Sequence, residues 1–148
     1  MEINTFSDEY FMNEALKEAE KAFVNNEVPV GAIITCNGRI IARSYNSSEK
    51  LNDSTAHAEM LAFTSASSNL GGKYLDECVL YVTLEPCAMC AGAAYWTRIS
   101  KIVYGASDEK KGFLINNLEI LHPKTQIIGG VLKEKCKKIL QEFFRRQR

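Results

Sequence analysis

Apolar positions along the chain change their spacing several times, and each change marks an element. From Asp8 to Val24, Phe11, Leu16, Ala19, Ala22 and Phe23 recur at helical spacing, with Ser7 placed to cap the first turn. Pro29 and Gly31 break that pattern. The runs Val30–Cys36 and Arg39–Tyr45 then flank Asn37-Gly38, a pair that tolerates positive φ and so predicts a tight hairpin. After a polar loop, Asn46 to Ser54, a helix is expected from about Ala56 to Ser67, capped by Asp53 or Thr55 and ended by Gly71-Gly72. Cys78–Leu84 is β-branched and apolar and reads as a strand. Pro86 suits the first turn of a helix from Cys87 to Thr97, whose residues are small or aromatic nearly all round and predict burial on more than one side. Lys101–Gly105 and Thr125–Ile128 read as short strands. Val131, Leu132, Cys136, Ile139, Leu140, Phe143 and Phe144 give a last helix from Val131 to Arg146.

Strands alternating with helices predict an α/β fold: a three-layer α/β/α sandwich around a mixed five-stranded sheet. A ligand is expected at the end of the strands where the connecting loops converge. The length of 148 residues suits a single domain over residues 1–148. With 46% hydrophobic and 24% charged residues the composition excludes a disordered chain, and 9 glycines with 3 prolines exclude a low-complexity one. No window approaches the roughly 18 apolar residues of a membrane span. The start, MEINTFSDEY, lacks the basic-then-apolar run of a signal peptide, so a cytoplasmic protein is expected.

Charge changes the picture only in its distribution. Residues 1–30 carry seven acids against Lys17 and Lys21, and residues 131–148 carry seven bases against Glu134 and Glu142. A neutral total therefore leaves room for a polyanionic partner at the C-terminal end, although a solvated helix face accounts for the same pattern.

The candidate chemistry lies in two segments, each at the start of an expected helix: Thr55-Ala56-His57-Ala58-Glu59 and Glu85-Pro86-Cys87-Ala88-Met89-Cys90. Cys-x-x-Cys at a helix N-terminus sets two thiols one turn apart, where N–H groups and the helix dipole favour the metal-binding thiolate. His57 adds a nitrogen ligand. Cys₂His with one position left open is a catalytic rather than a structural zinc pattern, and His122, beside Pro123, has no partner ligand at metal-binding spacing. Glu59, two residues beyond His57, can serve as a proton shuttle without ligating. A redox pair explains Cys87 and Cys90 taken alone, but the two segments together fit the zinc-deaminase signature H-x-E…P-C-x-x-C. Five cysteines without an export signal argue against a disulfide framework, and Cys36, Cys78 and Cys136 read as buried thiols.

Beyond the signature, the sequence resembles the bacterial tRNA-specific adenosine deaminases over nearly its whole length. The resemblance rests on Glu27-Val28-Pro29-Val30-Gly31-Ala32, Ala56-His57-Ala58-Glu59-Met60 and Leu80-Tyr81-Val82-Thr83-Leu84-Glu85-Pro86-Cys87. It continues through Met89-Cys90-Ala91-Gly92-Ala93, Val103-Tyr104-Gly105-Ala106 with Asp108 and Lys110, and Phe143-Phe144-Arg145-Arg146. Asp53-Ser54-Thr55 departs from the family's Asp-Pro-Thr, Leu121-His122-Pro123 stands where an Asn-His pair is usual, and Tyr95-Trp96 looks more like guanine deaminases.

The resemblance implies a cytidine-deaminase-like fold, one zinc ion per chain on His57, Cys87 and Cys90, and Glu59 as the catalytic acid–base. It implies an adenosine in a tRNA anticodon stem-loop as substrate and inosine as product. Asn46 would bond the base edge, backbone groups near Ala58 and Leu84 or Glu85 would orient it, and Val30 would line its face. Asp108 would sit near the ribose, and Phe143, Phe144, Arg145 and Arg146 would meet flanking nucleotides and phosphates. A homodimer burying part of the Cys87–Thr97 helix is also implied. Two alternatives stay open on the sequence: a free-base or nucleoside deaminase, guanine first and cytosine second, and a non-catalytic zinc-binding module.

Overall fold

A computed structural model describes residues 7–147; Glu2 and Arg148, counted in the charge asymmetry, lie outside the described residues. Helix α1 spans Asp8–Val24, and the Ser7 side chain accepts the Tyr10 N–H at its start, as the sequence predicts. Strands β1 (Gly31–Cys36) and β2 (Arg39–Tyr45) form the expected hairpin. Asn37 and Gly38 both take positive φ there, 53° and 76°, the backbone that matches a two-residue turn to the strand twist. Helix α2 (Ala58–Leu70), strand β3 (Cys78–Leu84), helix α3 (Ala88–Thr97), strands β4 (Lys101–Ala106) and β5 (Gln126–Ile128), and helix α4 (Lys133–Arg146) complete the order.

The sheet order is β2-β1-β3-β4-β5. β1 pairs antiparallel with β2 and β3, while β3–β4 and β4–β5 are parallel, so the sheet is mixed. Strand alternation divides the apolar residues into two cores. Ala32, Ile34, Leu80, Val82 and Ile102 face α2 and α3, with Ala62, Phe63 and Ala94. Ile33, Tyr81 and Val103 face α1 and α4, with Phe11, Met12, Ala15 and Cys136. These are the three layers expected. Gly31 lets α1 approach the sheet: a Cβ there would stand 2.1 Å from the Ala15 carbonyl oxygen. At the same end the Gly31 N–H donates to the buried Thr83 hydroxyl at 3.1 Å.

Several local expectations need correction. Asp53 and Thr55 do not cap α2. Asp53 Oδ1 instead accepts the Thr55 N–H and hydroxyl in a closed turn, and the cap position falls to His57. Cys87 likewise caps α3, which leaves Pro86 outside the helix, and α4 begins at Lys133 after Leu132 at its cap. Within its own chain helix α3 is covered on one side, where Cys90, Ala91 and Ala94 are buried, and Tyr95 and Trp96 are exposed. Cys36 is half-buried, although Cys78 and Cys136 are buried as expected. No helix among the described residues is long and apolar enough to cross a membrane.

Candidate active site

The start of β1 and the ends of β3 and β4 lie at one end of the sheet, and α2 and α3 begin there. His57 and Cys87 hold extended backbone at the caps of these helices, and neither side chain spends itself on a capping bond. The imidazole and the thiol are thereby free to meet. His57 Nδ1 lies 3.6 Å from Cys87 Sγ and 3.5 Å from Cys90 Sγ, and one ligand atom from each residue falls within 4.8 Å of the others. One borderline nitrogen and two soft sulfurs at this spacing fit a single zinc ion, and three protein donors leave a position open.

The local electrostatics suit metal binding. Hydrogen bonds from Cys90 and His57 hold the Cys87 thiol far below its ordinary value, at about 3. Cys90, beside that thiolate and buried, is pushed up, and the Cys87 contact raises His57. A metal bound here would displace the protons that Cys90 and His57 hold. Glu59 points in from the first turn of α2, is buried, and has its carboxyl pushed up to about 7 by desolvation.

A cavity of about 710 Å³ opens from this cluster. Val30, Asn46, Ala58, Leu84, Glu85, Asp108, Phe143 and Phe144 border it with His57, Glu59 and Cys87, so these expected positions converge on one space. Asn46 is buried; its N–H donates to the Val30 carbonyl at 3.0 Å, and the Ser48 hydroxyl donates to its Oδ1 at 3.2 Å. Its Nδ2 group is left to donate elsewhere. Asp108 Oδ1 accepts the Lys110 and Lys111 N–H groups, making it a turn former that also borders the cavity. Phe143 packs on Phe23 with ring centroids 6.1 Å apart, while Phe144 stands half exposed at the rim.

Arg145 and Arg146 are not among the residues bordering the cavity. Both pair with Glu142 on their own helix, and the Arg146 guanidinium lies 4.9 Å from the centre of the Phe23 ring. Sequence reasoning missed the side-chain role of Glu85. That carboxylate is buried and accepts N–H groups from Asp108 (3.1 Å), Leu114 (2.9 Å) and Ile115 (3.0 Å), clasping the loop after β4. Glu27, Ser48, Glu49 and Lys111 also border the cavity and were not singled out. The one available signal was that Glu27 opens the Glu-Val-Pro-Val run.

Residues 5–106 match the model of the cytidine and deoxycytidylate deaminase zinc-binding region. The chain belongs to this deaminase family. Among similar proteins, the tRNA-specific adenosine deaminase of Bacillus subtilis (strain 168) is 47% identical over 146 residues, covering 95% of this deaminase and 91% of its own length. A solved structure from a study of A-to-I editing by tRNA:A34 deaminases at the wobble position of transfer RNA superposes with TM-score 0.83 at 40% identity. It covers 88% of this deaminase and 99% of that chain. A guanine deaminase from Bacillus subtilis is 41% identical, but with TM-score 0.65 over 69% of this deaminase and 66% of that chain. The deaminase fold and the zinc cofactor read from the sequence therefore hold, and His57, Cys87 and Cys90 stand where they could bind the metal ion.

Proposed function

We propose that this deaminase converts an adenosine in a tRNA anticodon stem-loop, at the wobble position, to inosine by hydrolysis, releasing ammonia. One observation carries the reading: a buried carboxyl whose pKa is raised toward neutrality stands beside a Cys₂His cluster on the wall of a cavity roomy enough for a nucleoside. The likeness to a tRNA-specific adenosine deaminase over 95% of the chain supports the choice of substrate.

His57, Cys87 and Cys90 would hold the zinc ion, which supplies a water of lowered pKa as nucleophile. A carboxyl poised near pH 7 can both take and return a proton. Glu59 takes one proton from the water attacking C6 to the neighbouring ring nitrogen, then takes the second from the new C6 hydroxyl and gives it to the departing amine. Val30 packs on the base, and Asn46 donates from Nδ2 to an acceptor on the base edge. Backbone groups at Ala58 and Leu84 orient the base; the Glu85 side chain acts on the loop instead. Asp108 lies on the ribose side. Phe144, exposed at the rim, offers a stacking surface to a flanking base, with Phe143 behind it. Arg145 and Arg146 reach phosphates outside the cavity.

A homodimer formed through α3 is part of this reading. Trp96, 78% exposed, and Tyr95 lie together on the uncovered side of that helix, with ring centroids 5.5 Å apart. They are the residues that look like the guanine branch, and neither borders the cavity. A tRNA substrate makes the cytoplasm the expected compartment. The test is ammonia release measured side by side on an anticodon stem-loop, free adenosine, guanine and cytosine. Turnover confined to the stem-loop is expected; brisk turnover of guanine with none on the stem-loop overturns the reading.

A further inference from the structure

A second buried carboxylate, that of Glu27, also borders the cavity. Glu27 is 1% exposed and has no ion-pair partner among the described residues. A buried carboxylate without a cation must be satisfied by hydrogen bonds. Glu27 takes them from two consecutive amides across the cavity wall. Oε1 accepts the Glu49 N–H at 3.0 Å and Oε2 the Lys50 N–H at 2.7 Å.

Those amides open a single turn in which Leu51 N–H reaches the Ser47 carbonyl and Asp53 N–H reaches that of Ser48. The first amides of a helical turn have no partner within it. Glu27 therefore caps the turn from a distant segment. Its own place is fixed, because its N–H donates to the Ala22 carbonyl at 2.9 Å, and Asn26, at φ 59°, turns the chain out of α1. The residue before the capped amides is Ser48, whose hydroxyl donates to Asn46 Oδ1. With the hydroxyl as donor, that bond holds Oδ1 and leaves the Nδ2 end of the amide for the cavity.

We propose that Glu27 is a positioning residue that, through the Glu49–Lys50 backbone and the Ser48 hydroxyl, fixes Asn46 with its Nδ2 donors toward the base. A site so set favours a base with an unprotonated ring nitrogen or carbonyl at that edge. The inference rests on the reading of Asn46 as the base-edge residue.

Glu27→Gln in the full-length, zinc-loaded protein keeps the shape but puts an NH₂ against one of two N–H donors. Amide exchange at Glu49 and Lys50 should accelerate about tenfold, the scale of one lost charge-assisted hydrogen bond. KM for an adenosine stem-loop should rise by a similar factor, with zinc content and kcat nearly unchanged. In an Asn46→Ala background the same change should leave KM where Asn46→Ala alone puts it. Ser48→Ala tests the far end of the relay: it should raise KM in the same way while Glu49 and Lys50 exchange at the original rate. An unchanged KM in Glu27→Gln, or an equal rise in the Asn46→Ala background, overturns the proposal. Should Glu27→Gln not fold, an unchanged KM in Ser48→Ala overturns it. Should the unmutated protein turn over no adenosine stem-loop, the functional reading fails. The clasp itself still stands or falls on the exchange of the two amides.

Discussion

The Glu85 carboxylate and the Asp108 N–H lie 3.1 Å apart, a contact that ties the residue just after β3 to the loop leaving β4. The other carboxylate oxygen takes the Leu114 and Ile115 N–H groups, and the Gly112 backbone passes so close that a Cβ there would stand 2.2 Å from it. Glu85→Gln would turn an NH₂ toward backbone donors and leave at least one buried donor unpaired. The expected loss is about 1–3 kcal/mol, read as a fall in Tm of about 3–10 °C. Gly112→Ala should lower Tm as well, because the added methyl displaces the carboxylate. A Tm within a degree of the parent in both variants refutes the clasp.

Zinc removal tests the cluster directly. Elemental analysis of purified protein should give one zinc per chain. Cys87→Ala and Cys90→Ala should each lose the metal together with thermal stability, because ligand binding is coupled to folding. Chelator-treated protein that stays fully active would rule out the zinc chemistry.

Glu59→Ala separates chemistry from metal binding. Zinc content and stem-loop affinity should stay near those of the parent, while kcat drops by about 10²–10⁴, the usual contribution of a positioned acid–base. Near-normal turnover in this variant removes Glu59 from the mechanism.

The legible parts of this molecule are those whose signals are local. Asn37-Gly38 announces its turn because both residues accept positive φ, and the bonds it organises join immediate neighbours. Cys87 and Cys90 are one helical turn apart, so their spacing alone suggests a shared ligand. That His57 completes the set, thirty positions upstream, became visible through the family signature rather than through periodicity. Glu27 and Glu85 were beyond reach for a different reason. Their partners are backbone N–H groups 22 to 30 residues away, and a backbone amide looks alike at every position. The cap of α2 was misread because Asp53 satisfied Thr55 within the loop, which moved the cap onto His57 and freed its ring for the metal. Tyr95 and Trp96 lie on the side of α3 that its own chain leaves uncovered, and the apolar pattern of a helix does not say whether its own chain or a second copy covers it.

Glu14 joins α1 to the edge strand β2, with Lys17 at 2.7 Å on its own helix and Arg43 at 2.7 Å across the layer. The hydrogen bonds from Lys17 and then Arg43 hold its carboxyl below the ordinary value near 4.5. A depressed carboxyl contributes stability that is fully present above its unfolded pKa and is lost as pH falls through its folded pKa. Glu14→Gln should therefore cost about 1 kcal/mol at pH 7, since both cations remain largely solvated. The gap to the parent should close as the pH is lowered below about 4. Melting curves across that range check it; a gap that persists at pH 2.5 assigns the loss to packing instead.

Arg145 and Arg146 bear on how RNA is held. In the unbound protein both lean on Glu142, and Arg146 also covers the Phe23 ring. To reach a phosphate they must leave that carboxylate, which costs little for so exposed a pair. Arg145→Ala with Arg146→Ala should weaken stem-loop binding and reduce the slope of log affinity against log salt by about one to two. Zinc content should not change, and Tm should shift by no more than a few degrees, because the apolar contacts of α4 stay in place. Glu142→Gln makes the opposite prediction: it frees both guanidinium groups and should strengthen binding at low salt. If the double variant keeps the salt slope of the parent, the basic end of α4 is only a solvated helix face. The exposed Phe144 ring would then be the remaining contact to flanking RNA on this helix.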